Sequence, residues 1–368
     1  MNPFEPYTLK NRVTLKNRLV LAPMTTYSGN EDLTVSEEEK HYYALRAKHL
    51  GMVITAATSI NDSAQAFERQ ITLKDDAFIP SMRSLANIIQ AEGAKAVVQL
   101  HHGGRMNQPS LYEDKSKIVS ASAVPAPRPN MPTPRALDID EITKTIDYFA
   151  QATRRAIEAG YDGVELHGAN TYLLQQFFSP HSNQRDDRYG GSTKNRMRFI
   201  EELIDKVYEV INRYADNPFI LGYRFSPEEL EAPGITLEDT VELVRMLKDK
   251  PLDYLHVSLQ TFDQTSLRNK DDTEPIVNKL AKVIDGKVPF MGVGGLKNAN
   301  DLTRALSYHY DLLALGVALL ADPDWPKKIQ QNLSPSKIFD AKTLPTHLYA
   351  RLKKNAHYFK STGYRFDG

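Results

Sequence analysis

Short apolar runs recur along the chain with room for one amphipathic segment between each pair. They are LVLAP (19–23), VITAAT (53–58), AVVQL (96–100), GVEL (163–166), FILGYRF (219–225), YLHV (254–257), FMGV (290–293) and LLALG (312–316). Each has the length and side chains of a strand buried on both faces. The intervening segments carry helical marks. After Asp138, the apolar residues Ile142, Ile146, Phe149 and Ala156 keep to one helical stripe and Gly160 follows as a stop. Val241, Val244 and Leu247 repeat the pattern before Pro251. Ser36 with Glu39, and Thr236 with Asp239, have the spacing of a capping box, in which the acid reaches back to the N-cap amide. Eight buried strands alternating with helices predict parallel βα units closing into a (β/α)8 barrel. An open doubly wound sheet is the alternative.

Such a barrel needs about 250 residues, and this chain has 368. The surplus falls in two places. Residues 102–137 hold six prolines, from Pro109 to Pro134, which suits a lid-like excursion after the third strand better than a core helix. The other is a C-terminal tail, 332–368, whose terminus at Tyr364 and Arg365 is expected to be solvated and frayed. No internal repeat or low-complexity linker interrupts the chain, so a single domain over 1–368 is the simplest organisation.

Composition narrows the chemistry. With 46 basic and 46 acidic residues and no block of like charge, nothing electrostatic points to nucleic acid or an anionic membrane as partner. Small molecules become the expected partners. No long apolar run or secretory pattern is present, so a cytoplasmic location is expected. The chain has no cysteine, which excludes disulfides, thiolate metal sites and a cysteine nucleophile. Redox chemistry would need a bound organic cofactor.

Barrel active sites lie at the C-terminal strand ends. Here those ends offer Pro23, Met24 and Thr25; Ala57; Gln99; His167; Arg224; Gly292, Gly294 and Gly295; and Gly316. The glycines on strands seven and eight suit a phosphate, whose oxygens bare N–H groups can approach, although glycine serves turns everywhere. Arg224 interrupts an apolar strand and needs either an anionic ligand or an internal partner such as Glu165. Gln99 can serve the edge of a heterocycle or a loop. The adjacent His101 and His102 point to opposite faces, which weakens a metal-hydrolase or lyase reading, and no metal is expected.

These residues resemble the old yellow enzyme family of flavin-dependent ene-reductases. The likeness rests on LKNRLVLAPMTTYS (15–28), VQLHHGGR (98–105), GYDGVELHGANTYLLQQFFSPHSNQRDDRYGGSTKNRMRF (160–199) and the later glycine pairs. It implies non-covalent FMN in the barrel, reduced by NADPH or NADH and reoxidised by an alkene conjugated to a carbonyl or nitro group, or by a quinone. By the same resemblance, Pro23, Met24 and Thr25 lie beside the reactive flavin edge and Ala57 flanks the ring. Gln99 and Arg224 would face the pyrimidine side, and Gly294, Gly295, Gly316 and Val317 would hold the phosphate. His167 and Asn170 would bind the substrate oxygen, Tyr172 would supply a proton and Tyr27 would line the pocket. At Val317 the chain departs from the family, which commonly has arginine there; Lys297 could substitute. A flavin-binding protein without turnover is the remaining alternative. Some relatives place a C-terminal arginine in a neighbouring subunit's site, which leaves a homo-oligomer open and draws attention to Tyr364 and Arg365.

One stretch carries a structural condition. On a regular helix His167 and Asn170 would stand about 60° apart, with Tyr172 turned about 200° from Asn170. They can act on one ligand only if residues 167–172 form an irregular turn.

Overall fold

The computed structural model describes residues 1–367. Eight parallel strands close on themselves: β1 (Leu19–Leu21), β2 (Met52–Ile54), β3 (Lys95–His101), β4 (Gly163–Gly168), β5 (Ile220–Phe225), β6 (Tyr254–Val257), β7 (Phe290–Val293) and β8 (Leu312–Leu315). Neighbours pair in sequence order, and β8 returns to β1 through Ala314 opposite Val20. The architecture is a (β/α)8 barrel. Each strand falls within or beside a run expected from the apolar pattern. The ladder of the second run breaks over residues 55–57, and Thr58–Ser59 then pair with Leu100 and His101 at the end of β3. Ala57 therefore sits in a gap of the ladder.

The barrel interior is apolar through most of its depth, with Val20, Met52, Val97, Ile220, Tyr254 and Met291 packed against one another. Gly222 makes room for the Tyr254 ring, because a Cβ there would fall 2.1 Å from it. A hairpin pairing Tyr7–Thr8 with Thr14–Leu15 contributes Leu9 and Leu15 to this interior. Its turn is fixed by the Asn11 side-chain amide donating to the Phe219 carbonyl, just before β5 begins. That closes the N-terminal face and leaves chemistry to the other end.

The helices follow from their caps and stripes. α3 (Ile139–Glu158) opens on a complete capping box of Asp138 and Glu141 and buries Ile142, Ile146, Phe149 and Ala156. α6 (Leu237–Leu247) opens on the Thr236–Asp239 box. Such a cap contributes about 1 kcal/mol. α1 (Glu37–Ala47) has only half of its expected box: Ser36 caps the Glu39 amide, but the Glu39 side chain points elsewhere.

The excursion after β3 has no α-helix. It is held by 3-10 turns, by Val119–Ser120 pairing with Arg135–Ala136, and by buried Arg105 donating to the carbonyls of Val124 and Pro125. The tail overturns the expectation of a frayed end. Ile338–Phe339 pairs in parallel with Arg365–Phe366, and Phe339 stacks on Tyr364 with centroids 5.4 Å apart. Phe359 completes this cluster. Burying three aromatic rings offsets the entropy of ordering the segment. Among the described residues no helix is long and apolar enough to cross a membrane.

Candidate active site

A polar layer lies above the apolar barrel interior. Gln99 on β3 stands opposite Glu165 on β4, and His167 stands opposite Arg224 on β5, which in turn stands opposite His256 on β6. Paired positions on neighbouring strands share a face, so these side chains converge. Glu165 accepts from Gln99 Nε2 at 2.7 Å and lies 2.8 Å from His256 Nδ1. Burial pushes its carboxyl up, yet His256, Arg224 and Gln99 together hold it below the usual range. The ion pair considered for Arg224 with Glu165 does not form, because His256 takes that carboxylate. Arg224 instead donates from Nη2 to Ser258 Oγ at 3.2 Å. Its Nε is buried without a partner, and the residue is 7% exposed. A guanidinium so placed requires an acceptor that the chain does not supply.

Beyond β4 the chain makes the required irregular turn. Asn170 and Thr171 adopt φ of +57° and +70°, and Tyr172 is the extended residue preceding α4 (Leu173–Phe178). The turn swings the Tyr172 ring to 5.0 Å from His167 and 4.4 Å from His101, edge-on to both. His167 Nδ1 accepts the Ala169 amide at 3.3 Å. The ring proton therefore sits on Nε2. Burial, with lesser contributions from His101 and Arg224, drives the His167 pKa well below the ordinary value, so the ring is a neutral donor. Asn170 Oδ1 accepts from Ser258 Oγ at 2.9 Å, which leaves its Nδ2 protons free to donate, while its backbone amide bonds Ser226 Oγ. Burial raises the Tyr172 phenol to about 12, so it stays protonated at neutral pH.

Tyr27 and Tyr172 flank Phe67, each edge-on to it at 5.5 and 6.0 Å. Over the Tyr27 ring, 3.8 Å from its centroid, lies the guanidinium of Arg351 in α11 (Thr346–Lys354), which also reaches Glu68 at 3.2 Å. The tail arginine nearest the site is thus Arg351, contributed by the same chain. Arg365 faces outward and Tyr364 is buried in the aromatic cluster.

Beside β7 and β8 a cavity of about 380 Å³ is lined by Gly294, Gly295, Lys297, Gly316 and Val317, with Tyr358 and Phe359 of the tail as its far wall. Gly294 has φ +104°, and a Cβ there would lie 2.5 Å from the Gln260 carbonyl oxygen. Only glycine fits. A second cavity of about 720 Å³ shares Tyr358 and Phe359 and is lined by Met24, Thr25, Tyr27 and Arg351. Met24 also bridges toward β8: its sulfur lies 3.5 Å from where a Cβ on Gly316 would stand. Pro23 follows directly on Ala22, whose amide bonds the Leu315 carbonyl at the end of β8. Ala57 is buried, and its carbonyl accepts from Gln70. His101 and His102 diverge, His101 Nδ1 meeting Gln70 and His102 Nε2 meeting Ser63. The residues that sequence reasoning missed are Ser226, Ser258, His256, Phe67 and Arg351. None has a local signal, since each acts across tertiary contacts.

Glycine amides beside one cavity, an unmatched buried guanidinium and a neutral His–Tyr pair thus lie at the same end of the barrel. The sequence model of the NADH:flavin oxidoreductase / NADH oxidase family matches residues 2–335. The chain belongs to that family, the old yellow enzymes. It is 44% identical over 337 residues to a probable NADH-dependent flavin oxidoreductase of Bacillus subtilis (strain 168), covering 90% of each. It is also 44% identical over 328 residues to an NADH:fumarate oxidoreductase of Klebsiella pneumoniae (strain 342), covering 88% of this chain but only 35% of that protein. Among solved structures, morphinone reductase superposes with a TM-score of 0.78 at 26% identity, covering 91% of each chain. The protein is an oxidoreductase with FMN as cofactor and NADH or NADPH as reductant.

Proposed function

We propose that this enzyme reduces alkenes conjugated to a carbonyl or nitro group, and quinones, with electrons from NADH or NADPH. The observation that carries the reading is the trio at the end of β4: neutral His167 with its proton on Nε2, Asn170 with a free Nδ2, and a protonated Tyr172 held against His167.

FMN, when bound, accepts hydride from the nicotinamide and passes it to the substrate. Arg224 Nε and Gln99 would hold its polar edge, and Thr25 and Met24, which line one cavity with Tyr27, would border it. Gly294, Gly295, Gly316 and Val317 offer backbone amides to the phosphate. Lys297 lines the same cavity and would stand in for the arginine that the family commonly carries at the position of Val317. His167 and Asn170 donate to the substrate oxygen as negative charge collects there. Tyr172 gives a proton to the carbon next to that carbonyl. Arg351 reaches Tyr27 from the chain's own tail and places a cation beside this pocket.

The test is anaerobic. NADH or NADPH should bleach the flavin of the purified holoenzyme, and 2-cyclohexenone should restore its absorbance while appearing as cyclohexanone. A flavin that bleaches but is not reoxidised by any enone, nitroalkene or quinone would overturn the reading.

A further inference from the structure

Glu39 has the sequence position of a capping-box acid but not its geometry. Ser36 Oγ accepts the Glu39 amide at 3.1 Å, as a cap should. At α3 and α6 the corresponding acid returns to the N-cap amide. Glu39 instead turns into the core, where it is fully buried and its Oε1 accepts the Thr26 hydroxyl. Its Oε2 has no partner. Burying a carboxyl with one oxygen unmatched costs stability that a surface capping bond would not.

Thr26 is the neighbour of Thr25, and Glu39 is one of three grips on a single face of α1. Tyr43 Oη accepts the Ala56 amide at 2.7 Å, next to Ala57. Arg46 donates to the carbonyls of Leu319 and Leu320, at 3.0 and 3.3 Å, in the helix after Gly316. Residues 39, 43 and 46 recur at helical spacing, so α1 ties together the ends of β1, β2 and β8. Glu39 is the member of this set able to change charge near neutrality, since burial pushes its carboxyl up to about 7 against the Thr26 hydrogen bond and the lesser pull of the nearby Ser36 backbone. The groups facing it are Thr26 from the end of β1, Tyr42 and Tyr43 from α1, and Tyr161 before β4. Burial raises all three phenols, so they stay neutral. Arg46 packs over Tyr42 and donates to carbonyls.

We propose that Glu39 is a positioning residue that fixes the Thr25–Thr26 segment and couples its own protonation to flavin reduction. The inference rests on the reading that Thr25 borders the flavin. Hydride from the nicotinamide brings two electrons and one proton and leaves negative charge in the site. Glu39 then takes one further proton from solvent. It releases that proton when hydride passes to the alkene, separately from the proton given by Tyr172. By linkage, reduction favours protonated Glu39 as much as protonated Glu39 favours reduction.

The test compares midpoint potentials of FMN-loaded wild type and Glu39→Gln from about pH 5.5 to about pH 8.5. Gln has nearly the same volume and keeps an acceptor for Thr26. The wild-type curve should bend near neutrality. The variant should lose the bend, matching wild type at the acidic end and lying at higher potential at the alkaline end. FMN-loaded proteins with superimposable curves would overturn this inference alone, whereas a wild type that binds no FMN would overturn the site reading with it. Should Glu39→Gln fail to fold, reduced-minus-oxidised infrared spectra of the wild-type holoenzyme at about pH 7.5 decide the matter. A protonated-carboxyl stretch should grow on reduction, and its absence contradicts the proposal.

Discussion

The rings of Tyr172 and His167 stand edge-on with centroids 5.0 Å apart, although a regular helix through residues 167–172 would turn them apart. Two consecutive left-handed residues, Asn170 and Thr171, make the approach possible. Neither is glycine, so the turn stores strain of order 1–3 kcal/mol per residue that the surrounding bonds must hold. Ser226 and Ser258, which bond the backbone and side chain of Asn170, supply part of that restraint.

Replacing either oxygen-binding donor isolates its effect. His167→Ala and Asn170→Ala should each lower the rate of enone reduction by about 10² to 10³, the usual loss for one oxyanion donor. Flavin reduction by NADH, followed by stopped-flow absorbance, separates this loss from damage to the reductive half-reaction.

Ser258→Ala should act more mildly and through two residues at once. It removes the hydroxyl that takes a bond from Arg224 and gives one to Asn170. A loss of roughly tenfold in kcat/KM for enones, with the Arg224 charge still present, is expected. A double-mutant cycle with Asn170→Ala should show non-additive losses.

Arg224 offers a test of the flavin site itself. Arg224→Met removes the buried guanidinium whose Nε has no partner within the chain. Loss of a charge-assisted bond, about 1.5–3 kcal/mol, corresponds to roughly 10- to 100-fold weaker FMN binding. Fluorescence titration of apoprotein with FMN measures it, and the reduction potential should fall in the same variant.

Stability should decline in mild acid. Burial holds His101 and His102 at about 3, far under the ordinary 6.5. Below about pH 6.5 the unfolded chain binds protons that the folded one refuses. Each histidine then costs about 1.4 kcal/mol per pH unit until its folded pKa is reached. Urea midpoints measured between pH 7 and pH 5 should fall steadily. The His102→Asn variant should show a shallower slope.

The barrel was legible because its strands are continuous apolar runs and its helices carry stripes and stops that act locally. The strand-end residues stand out for a related reason: a polar side chain or a glycine interrupts such a run, although its role followed only from the family resemblance. What the chain order could not convey was pairing across space. An internal partner for Arg224 could be Glu165 by chain order, but His256, two strands round the barrel from Glu165, takes that carboxylate. Glu39 carried a capping signal, and its true partner Thr26 belongs to the loop after β1. The tail looked frayed because Phe339, Phe359 and Tyr364 are scattered along it, and their clustering appears only once the two short strands pair.

The most direct test of the proposed chemistry is the oxidative half-reaction of Tyr172→Phe. Pre-reduced, FMN-loaded variant is mixed anaerobically with 2-cyclohexenone or with a quinone, and flavin reoxidation is followed by stopped flow. The quinone product takes its protons from solvent, so its reaction should proceed near the wild-type rate. The enone reaction should slow by at least about 10², the contribution typical of a positioned acid. Equal rates for wild type and variant with the enone, or equal losses with both substrates, would contradict the assignment of Tyr172 as proton donor.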